Sequence, residues 1–551
     1  MKKYIRTVWI SIPVLVGLAF VSFRQDERLF EIAKNLDIYA TLFKELNSYY
    51  VDEINPNKLI KSSIDNMLRT LDPYTVYYAE DDIEDYLTMT TGKYNGIGAM
   101  VITDDGKHIV MMVYQDTPAQ KAGLVLGDEI MKINDVDITN REDFDIGTLL
   151  KGQTQTSVKL TIKRYGHDKP IAISLNRDIV KVTNVPYYGM VNKEVGYIDL
   201  KDFTATASRE VRNAFQELKA QGMKSLILDL RDNPGGLLNM AIEISNIFVP
   251  KGEEIVSTKG KVSEWNKTYT AYNPAIDTEI PMVILTNNRS ASAAEIVSGV
   301  MQDYDRGALI GQRTYGKGLV QTTRDLSYNT KMKITTAKYY IPSGRCIQAI
   351  DYSHRNEDGS IGKIPDSLMT SFKTKNGRIV YDGGGILPDI ITEKETYSPL
   401  AIALGRNRLF FDYALKYHFE HTTIPAAKDF HLTDSEYNTF VKWLDEKEYD
   451  YTTQVERDLS NLEASARKEK SIDNIDSQLK ALKSKLTHNK ANDLVLFKPE
   501  IKKILEEEII KHYYLEKGMR EASFESDVEV KEALELFKNP IKYHEILKAN
   551  K

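Results

Sequence analysis

Residues 281–300, PMVILTNNRSASAAEIVSGV, join an apolar strand to a helix through a turn that places two serines among alanines. A serine at such a turn stands beside the first amides of the helix, which have no partner within the helix. These amides also lie at the positive end of the helix dipole, so an oxyanion next to the serine would be stabilised there. The small side chains of Ala291 and Ala293 leave room for a substrate at Ser292. The stretch therefore indicates either a nucleophilic serine or, at Ser290 or Ser292, a simple helix cap.

The same alternation of strand, turn and helix recurs between residues 180 and 395. KSLILDL (224–230) precedes the turn RDNPGG, which leads into an apolar helical stretch. This pattern predicts an α/β domain. An Asn-Pro-Gly-Gly turn forces an irregular backbone with exposed amides. The N–H of Gly235 or Gly236 is thus a candidate donor to an oxyanion, together with the N–H of Ala293.

A nucleophilic serine needs a base. Histidine is the usual base, but no histidine lies between His167 and His354, which bracket the α/β region. A lysine serves instead when burial in apolar surroundings keeps it neutral. Lys317 stands between two glycines in TYGKGLVQ (314–321) and is the candidate base.

The segment around Lys317 also allows a different interpretation. GQRTYGK (311–317) fits the phosphate-binding pattern G-x-x-x-x-G-K, which continues with Ser or Thr and a helix. Gly318 stands where the hydroxyl residue is required, and LVQTTRDL (319–326) does not have a helical pattern. Nucleotide binding is therefore the weaker hypothesis for this segment.

Three motifs in fixed order, LDLRDNPGGL, RSASAAEI and TYGKGLVQ, resemble the carboxyl-terminal processing or tail-specific proteases, the S41 serine peptidases. The resemblance covers roughly residues 35–395. LDPYTVYY, PSGRCIQ and GGILPDI also match, although Tyr74 and Thr75 replace the family's usual His and Ser. The resemblance implies that Ser292 is the nucleophile and Lys317 the general base.

The family pattern also implies that Gln321 orients the lysine and that Asp303 has a supporting role. On a straight strand, Lys317 and Gln321 would be roughly 13 Å apart. On a helical turn they would be about 6 Å apart. Direct contact between them therefore predicts a bend near Gly318.

Residues 91–166 are rich in short β-like runs and resemble a PDZ domain through TGKYNGIGAMVI and DTPAQKAGLVLGDEIMKINDVDI. Such a domain captures a peptide C-terminus by adding it as a strand. The resemblance implies that backbone amides near Gly96, Ile97 and Gly98 hold the terminal carboxylate. The partners it implies are protein substrates with apolar, accessible C-terminal tails.

The first residues combine the basic stretch MKKYIR with the apolar run VWISIPVLVGLAFVSF. This combination is typical of an export signal, and it also suits an uncleaved membrane anchor with its basic end inside. Either case predicts a protein of the periplasm, attached to the inner membrane in the second case.

The sequence as a whole predicts a multidomain α/β + β protein. Its parts are a signal peptide or anchor, an N-terminal helical segment, a PDZ domain, an S41 α/β core and a charged, helical C-terminal region (1–25, 26–90, 91–166, 178–395 and 396–551). Helical flanks in similar proteases assist assembly or adaptor binding, so self-association or an adaptor is one expectation for the last region. The other is a solvated helical appendage.

Several classes of function are disfavoured by composition. A formal net charge of -6 gives no reason to expect a nucleic-acid partner, and a single cysteine, Cys346, cannot form an internal disulfide. The predicted reaction needs no metal, nucleotide or other cofactor, and His418 and His421 are interpreted as surface histidines. The remaining alternative is a catalytically inactive PDZ scaffold of the cell envelope.

Overall fold

The computed structural model describes residues 28–141, 146–352, 354, 360–486 and 490–549. The predicted signal or anchor lies outside this range. No helix in the described range is long and apolar enough to cross a membrane. The chain divides into two compact units, the first comprising the described residues up to Ala79 together with Asp325–Lys333, and the second comprising the rest.

The first unit is largely helical, as predicted. Helix α1 covers residues 28–49 and α2 covers Pro56–Arg69. The Asn55 side chain accepts a hydrogen bond from the Lys58 N–H and so caps α2. The Asp-Pro break after α2 leads into a short strand, β1 (Val76–Tyr78), which pairs antiparallel with Lys331–Lys333.

The second unit contains a PDZ-like module. Its helices and strands are α3 Ile83–Thr91, β2 Lys93–Gly96, β3 Ala99–Asp104, β4 Lys107–Val113, α4 Pro118–Lys121, β5 Glu129–Ile133, β6 Val136–Asp137, α5 Ile146–Leu150, β7 Ser157–Lys163, β8 Ile171–Asn176 and β9 Asp178–Lys181. The main sheet has the order β3-β4-β5-β7-β8. Strand β8 pairs with β7 along six residue pairs, so the module extends beyond the predicted boundary at residue 166. Strand β3 is at the edge of this sheet and has one side that pairs with no described strand.

The α/β core is built on a six-stranded sheet of order β10-β11-β12-β15-β16-β21. These strands are β10 Tyr187–Met190, β11 Val195–Asp199, β12 Ser225–Asp229, β15 Met282–Thr286, β16 Ala308–Gly311 and β21 Ile390–Ile391. All neighbouring strands are parallel except β10, which is antiparallel to β11. The strands end at one edge of the sheet, and the candidate motifs follow β12, β15 and β16 there; the sequence predicts the first two of these strands.

Three helices cover one face of this sheet: α6 Ala207–Ala220, α7 Leu238–Phe248 and α8 Ala293–Asp303. Successive residues of a strand point to opposite faces. Leu226 and Leu228 of β12 accordingly pack in the cluster that contains these helices, whereas Ile227 packs in a different cluster on the opposite face. Both faces of the strand are fully buried, which explains the unbroken apolar run in the sequence.

A second sheet contains β13 Glu254–Gly260, β14 Lys267–Thr270, β17 Leu319–Asp325 and β18 Lys331–Tyr340. A small hairpin, β19 Ser371–Lys373 and β20 Ile379–Tyr381, follows it in the chain. Strand β18 contributes the buried side chain of Tyr339 to the same apolar cluster as α8. This packing places the second sheet next to the helix that follows Ser292.

The C-terminal region is helical, as predicted. Its helices are α9 Pro399–Arg406, α10 Leu409–Glu420, α11 Asp434–Leu444, α12 Gln454–Lys468, α13 Asp476–Leu486, α14 Lys490–Leu496, α15 Lys498–Ser523, α16 Val528–Lys538 and α17 Pro540–Ile546. Helices α9, α10, α11, α14 and α15 share a core of their own. Helices α16 and α17 instead pack on the second face of the core sheet, where Val530, Ala533 and Leu536 meet Ile227. These last helices belong to the α/β core, so the expectation of a solvated appendage is wrong for them.

Candidate active site

Ser292 lies immediately before α8, at the N-cap position, and its side chain is half-buried. Its backbone has φ 55° and ψ −114°. A positive φ is uncommon in a residue other than glycine and costs on the order of 1–3 kcal/mol. An ordinary N-cap serine has extended backbone angles and needs no such strain. Ser292 also forms a capping box with Glu295, but capping alone does not require this strain, which therefore favours an additional chemical role for Ser292.

Ser290 has a structural role, because its hydroxyl is used in hydrogen bonds within the turn that precedes α8. Its hydroxyl donates to the Leu230 carbonyl at 2.7 Å and accepts from the Asn287 N–H at 2.9 Å. Both of its hydrogen bonds lie within the protein and the residue is fully buried. It fixes the turn that carries Ser292.

The Asn-Pro-Gly-Gly turn lies directly against the Ser292 turn. A Cβ atom on Gly235 would be 2.8 Å from the nitrogen of Ala293, so only glycine allows this approach. The Gly235 N–H donates to Asn233 Oδ1 at 2.8 Å and is engaged within its own loop. The N–H groups of Gly236 and Ala293 have no acceptor among the described residues. Of the two candidate glycines, Gly236 therefore has the amide that is open to a ligand.

Asn233 holds this loop in place and was not singled out from the sequence. Its side-chain NH₂ donates to the Leu200 carbonyl at 2.6 Å, and its own carbonyl accepts from the Ala291 N–H at 2.9 Å. The residue is fully buried. Its contacts connect the strand ends at β11 and β12 to the turn before Ser292.

Lys317 is half-buried between two tightly packed glycines. A Cβ atom on Gly316 would lie 2.3 Å from the Cβ of Ala349, and one on Gly318 would lie 2.8 Å from the nitrogen of Gln348. The Gly318 N–H donates to Gln348 Oε1 at 2.7 Å. The two glycines therefore allow the backbone on both sides of Lys317 to pack closely, as the sequence predicts.

Gln321 lies on β17, and its amide donates to Thr335 Oγ1 at 3.1 Å. Strand β17 begins only at Leu319, so Lys317 precedes the extended segment that carries Gln321. This arrangement is compatible with the predicted bend near Gly318. The orienting role of Gln321 stays a prediction.

The fully buried carboxylate of Glu295 joins the serine turn to the lysine segment. Its Oε2 accepts from the Ser292 N–H at 2.9 Å and from the Lys317 N–H at 2.8 Å. Its Oε1 accepts from the Gly316 N–H at 2.7 Å and from the Thr314 hydroxyl at 2.5 Å. Since the backbones of Ser292 and Lys317 contact the same oxygen, the two segments are adjacent in space.

These contacts also decide against nucleotide binding. The amides of Gly316 and Lys317, which a phosphate loop would direct at a phosphate, donate to a carboxylate instead. The segment that follows is strand β17 and not a helix. The nucleotide hypothesis for residues 311–317 is therefore wrong.

Tyr339 of β18 contacts both the turn that carries Ser292 and the segment that carries Lys317. Its hydroxyl donates to the Ser292 carbonyl at 3.2 Å, and its backbone N–H donates to the Gly318 carbonyl at 2.9 Å. The side chain is buried. The sequence gives no signal for this residue because its contacts depend on the pairing of distant strands.

In the PDZ-like module, Gly96, Ile97 and Gly98 connect β2 to the edge strand β3. The Ile97 carbonyl accepts from the Ala119 N–H at 2.8 Å, which fixes the loop. The Ile97 N–H has no acceptor in the part of the chain that the structure describes, whereas the Gly98 N–H donates to the Tyr94 hydroxyl. An open amide at Ile97 next to an open strand edge is what capture of a peptide carboxylate requires.

Comparison with known proteins identifies all three parts of the second unit. Residues 194–353 match the family model of Peptidase family S41, residues 95–175 match the PDZ domain, and residues 400–537 match the C-terminal helical domain of a probable PDZ-protease. A carboxy-terminal-processing protease of Bartonella bacilliformis is 35% identical over 413 residues, which is 74% of this chain and 86% of that protein. The chain belongs to the carboxy-terminal processing proteases.

Two further relatives support the same family. A probable CtpA-like serine protease of Staphylococcus epidermidis is 34% identical over 340 residues, covering 61% of this chain and 68% of that protein. The carboxy-terminal processing protease CtpA of Bacillus subtilis is 32% identical over 306 residues, covering 55% and 65% respectively. The protease is thus a serine-type peptidase with an S41 core and a PDZ domain.

Asp303 does not lie beside the candidate residues Ser292 and Lys317. It ends α8, which at 1.5 Å per residue places it about 16 Å along the helix from Ser292. Its carboxylate accepts from Arg345 Nη2 at 2.8 Å and from the Ser343 N–H at 2.9 Å. These contacts anchor the far end of the helix, and the supporting role of Asp303 in catalysis stays a prediction.

The protease should lose about 100-fold in kcat when Glu295 is replaced by glutamine, because an amide NH₂ would face N–H and O–H donors and leave some of them unpaired. The measurement is kcat for cleavage of a test protein. Glu210→Gln is the matched control, since the Glu210 carboxylate also accepts several bonds, including one from the Asn184 N–H at 2.7 Å. The control should lower stability and leave kcat unchanged. An equal loss of kcat in both variants would contradict a specific role for Glu295.

Glu295 also predicts the acid side of the pH profile. Burial raises the pKa of its carboxyl above the ordinary value of 4.5, while the bonds from Thr314 and the backbone act in the opposite direction. Only the carboxylate form accepts all four bonds, and this form is lost as the pH falls through the raised pKa. In the proposed mechanism protonation of Lys317 also lowers kcat in acid, so the contribution of Glu295 is the additional decline in the parent that the Glu295→Gln variant lacks, and we expect it above pH 4.5. Acid profiles of the same shape in the parent and in Glu295→Gln would contradict this expectation.

Proposed function

We propose that the protease cleaves protein substrates near apolar C-terminal tails, with Ser292 as nucleophile and Lys317 as general base. The observation that carries the proposal is the pair of hydrogen bonds from the Ser292 and Lys317 amides to one oxygen of Glu295. A serine held at a helix N-terminus in a strained conformation, next to a lysine between glycines, has the components of a serine–lysine dyad.

In the proposed mechanism, neutral Lys317 removes the hydroxyl proton of Ser292 as its oxygen attacks the scissile carbonyl. The amides of Ala293 and Gly236 donate to the oxyanion of the tetrahedral intermediate. Protonated Lys317 then gives its proton to the leaving amine, and an acyl-enzyme remains. Water attacks the acyl carbonyl with Lys317 as base again, which releases the new C-terminus and restores Ser292. No step in this sequence requires a metal or an organic cofactor.

Substrate selection is assigned to the PDZ domain. An extended tail would add to the open edge of β3, and its terminal carboxylate would accept from backbone amides of residues 96–98, foremost that of Ile97. The alternating side chains of an added strand would then contact the domain, which favours an apolar tail. The positively charged start of the chain and its apolar run support export to the periplasm, either free or anchored in the inner membrane.

The experiment compares two test proteins that differ only in their last residues, one ending in an apolar tail and the other in an acidic tail. The protease from residue 26 onward should cleave the first with a kcat/KM about ten-fold higher. Gly98→Val is expected to remove this preference, because Gly98 has φ +82° and a Cβ there would lie 2.3 Å from the Cβ of Thr117.

Each result of this experiment is informative. Equal cleavage of both tails would contradict the proposed tail specificity but leave the peptidase intact. Cleavage by the Ser292→Ala variant would show that the serine is wrongly assigned. Binding of the apolar tail without cleavage would favour the inactive scaffold over an enzyme.

A further inference from the structure

We propose that Asp527 and Glu529, from the C-terminal helical region, are positioning residues for proteolysis because they hold Arg231 at the start of the oxyanion loop, residues 232–236. This inference rests on the proposed function and adds to it a role for a region far away in sequence. Asp527 is the N-cap residue of α16, and Glu529 lies in the first turn of that helix. Neither residue contacts the substrate in the proposed mechanism.

The guanidinium of Arg231 is surrounded by three carboxylates. It donates to both oxygens of Asp527, through Nη2 at 2.7 Å and Nη1 at 3.1 Å, and Nη1 also donates to Glu529 at 3.2 Å. Its Nε and Nη2 donate to Asp229 at the end of β12, at 3.0 and 2.6 Å. The side chains of Arg231, Asp527 and Glu529 are only 13%, 11% and 13% exposed. Such two-point, largely buried contacts fix geometry far better than ion pairs on the surface do.

Arg231 is directly followed by the loop that carries the Gly236 amide. The next residue, Asp232, is bonded in turn to the Ser292 turn: its carboxylate accepts from Asn287 Nδ2 and from Arg289 Nε, both at 2.7 Å. The loop is thus held by the C-terminal region through Arg231, the residue before it, and by the serine turn through Asp232, its first residue. A change in the position of Arg231 would move the loop relative to Ser292.

Glu529 also accepts hydrogen bonds from the side chains of two residues outside the oxyanion loop, one of them in the segment that leads to Lys317. Its Oε1 accepts from Gln312 Nε2 at 3.0 Å and from the Thr392 hydroxyl at 2.8 Å. Gln312 is the first residue after β16 and begins the segment that leads to Lys317. The carboxylate of Glu529 therefore contacts both Arg231, which precedes the oxyanion loop, and Gln312, which begins the segment that leads to Lys317.

The network suggests a pair of substitutions that keeps the helix and removes the charge. Asparagine caps a helix as well as aspartate does, so Asp527→Asn keeps the bond from the Val530 N–H. Glu529→Gln keeps the size of the side chain and removes the second carboxylate. Arg231 then retains only Asp229 as a charged partner. We expect the loop to shift and kcat to fall, while tail binding at the PDZ domain is unchanged.

The test measures kcat and KM per active site for the Asp527→Asn/Glu529→Gln variant, with active sites counted by a serine-reactive fluorophosphonate. We expect kcat to fall by about ten-fold or more, since small displacements of reacting groups are costly, with KM within about two-fold of the parent value. The matched control is Glu532→Gln/Glu535→Gln, which removes two carboxylates from the same helix that pair with Lys542 and Lys538. The control should match the parent in both constants. A double variant with unchanged kcat per active site, or a control with an equal loss, would overturn the proposal.

Hydrogen exchange of the same proteins separates this proposal from the proposed function. Amides of residues 230–239 and 312–321 should exchange faster in the Asp527→Asn/Glu529→Gln variant than in the parent or the control. This measurement requires no cleavage. If the parent protein does not cleave, the proposed function fails by itself. If exchange in both segments is unchanged, the positioning role is overturned whether or not the parent is active.

Discussion

The Lys317→Ala variant should lose about a thousand-fold or more in kcat, and adding Ser292→Ala to it should reduce kcat little further. In the proposed mechanism the two residues act as one unit, because the serine is not a useful nucleophile unless a base removes its proton. Once either residue is gone, the residual rate comes from the oxyanion donors and from substrate binding. The effects of the two substitutions are therefore expected not to multiply.

The measurement is a comparison of kcat for the parent, the two single variants and the double variant on one tailed substrate. Lys338→Ala is a matched control, since Lys338 lies exposed on β18 and has no role in the mechanism. Losses that multiply in the double variant would show that the residues act independently. Near-normal activity of Lys317→Ala would mean that another group is the base.

Deletion of residues 525–551 should leave no soluble, folded peptidase. This segment contains α16 and α17, which cover the second apolar face of the core sheet. Without them, side chains such as Tyr197, Ile227 and Val283 would lose their packing partners on that face. The exposed surface would favour aggregation, and no cleavage is expected from the truncated chain.

A pair of point substitutions tests the same packing without deleting chain. Leu536 of α16 is 0% exposed and Ile541 of α17 is 72% exposed. Leu536→Ala should lower the free energy of unfolding by about 2–5 kcal/mol, whereas Ile541→Ala should change it by less than about 0.5 kcal/mol. Urea unfolding followed by circular dichroism measures both values. Equal effects of the two substitutions would contradict the assigned burial of Leu536.

The elements closest to the chemistry were predictable because their signals are local. The apolar run before RSASAAEI and the glycines around Lys317 are contiguous in the sequence, and each needs only its own turn to form. The three motifs also follow three strands of one parallel sheet, which places them at one edge. The PDZ, core and helical parts were identified in the correct order for the same reason.

The features that were missed depend on contacts between distant parts of the chain. Glu295 had a readable signal, since Ser292 and Glu295 have the S-x-x-E spacing of a capping box, but its bonds to Gly316 and Lys317 appear only after folding. Arg231 and Asp527 are almost 300 positions apart in the chain, and no periodicity connects them. The end of the PDZ domain was misplaced because the Gly- and Pro-containing turn YGHDKP (165–170) has the pattern of a domain boundary, and the pairing of β8 with β7 across it appears only after folding.

The position of α16 and α17 in the chain affects when the enzyme can become active. Both helices follow every strand of the sheet that they cover, and a ribosome adds only about 5–20 residues per second. During synthesis, the sheet therefore emerges well before its cover, with one apolar face still bare. The turn at Ser292 and the glycine loop depend on that sheet, so they reach their final arrangement only after α17 has been made. We therefore expect a chain stalled before α16 to show no cleavage.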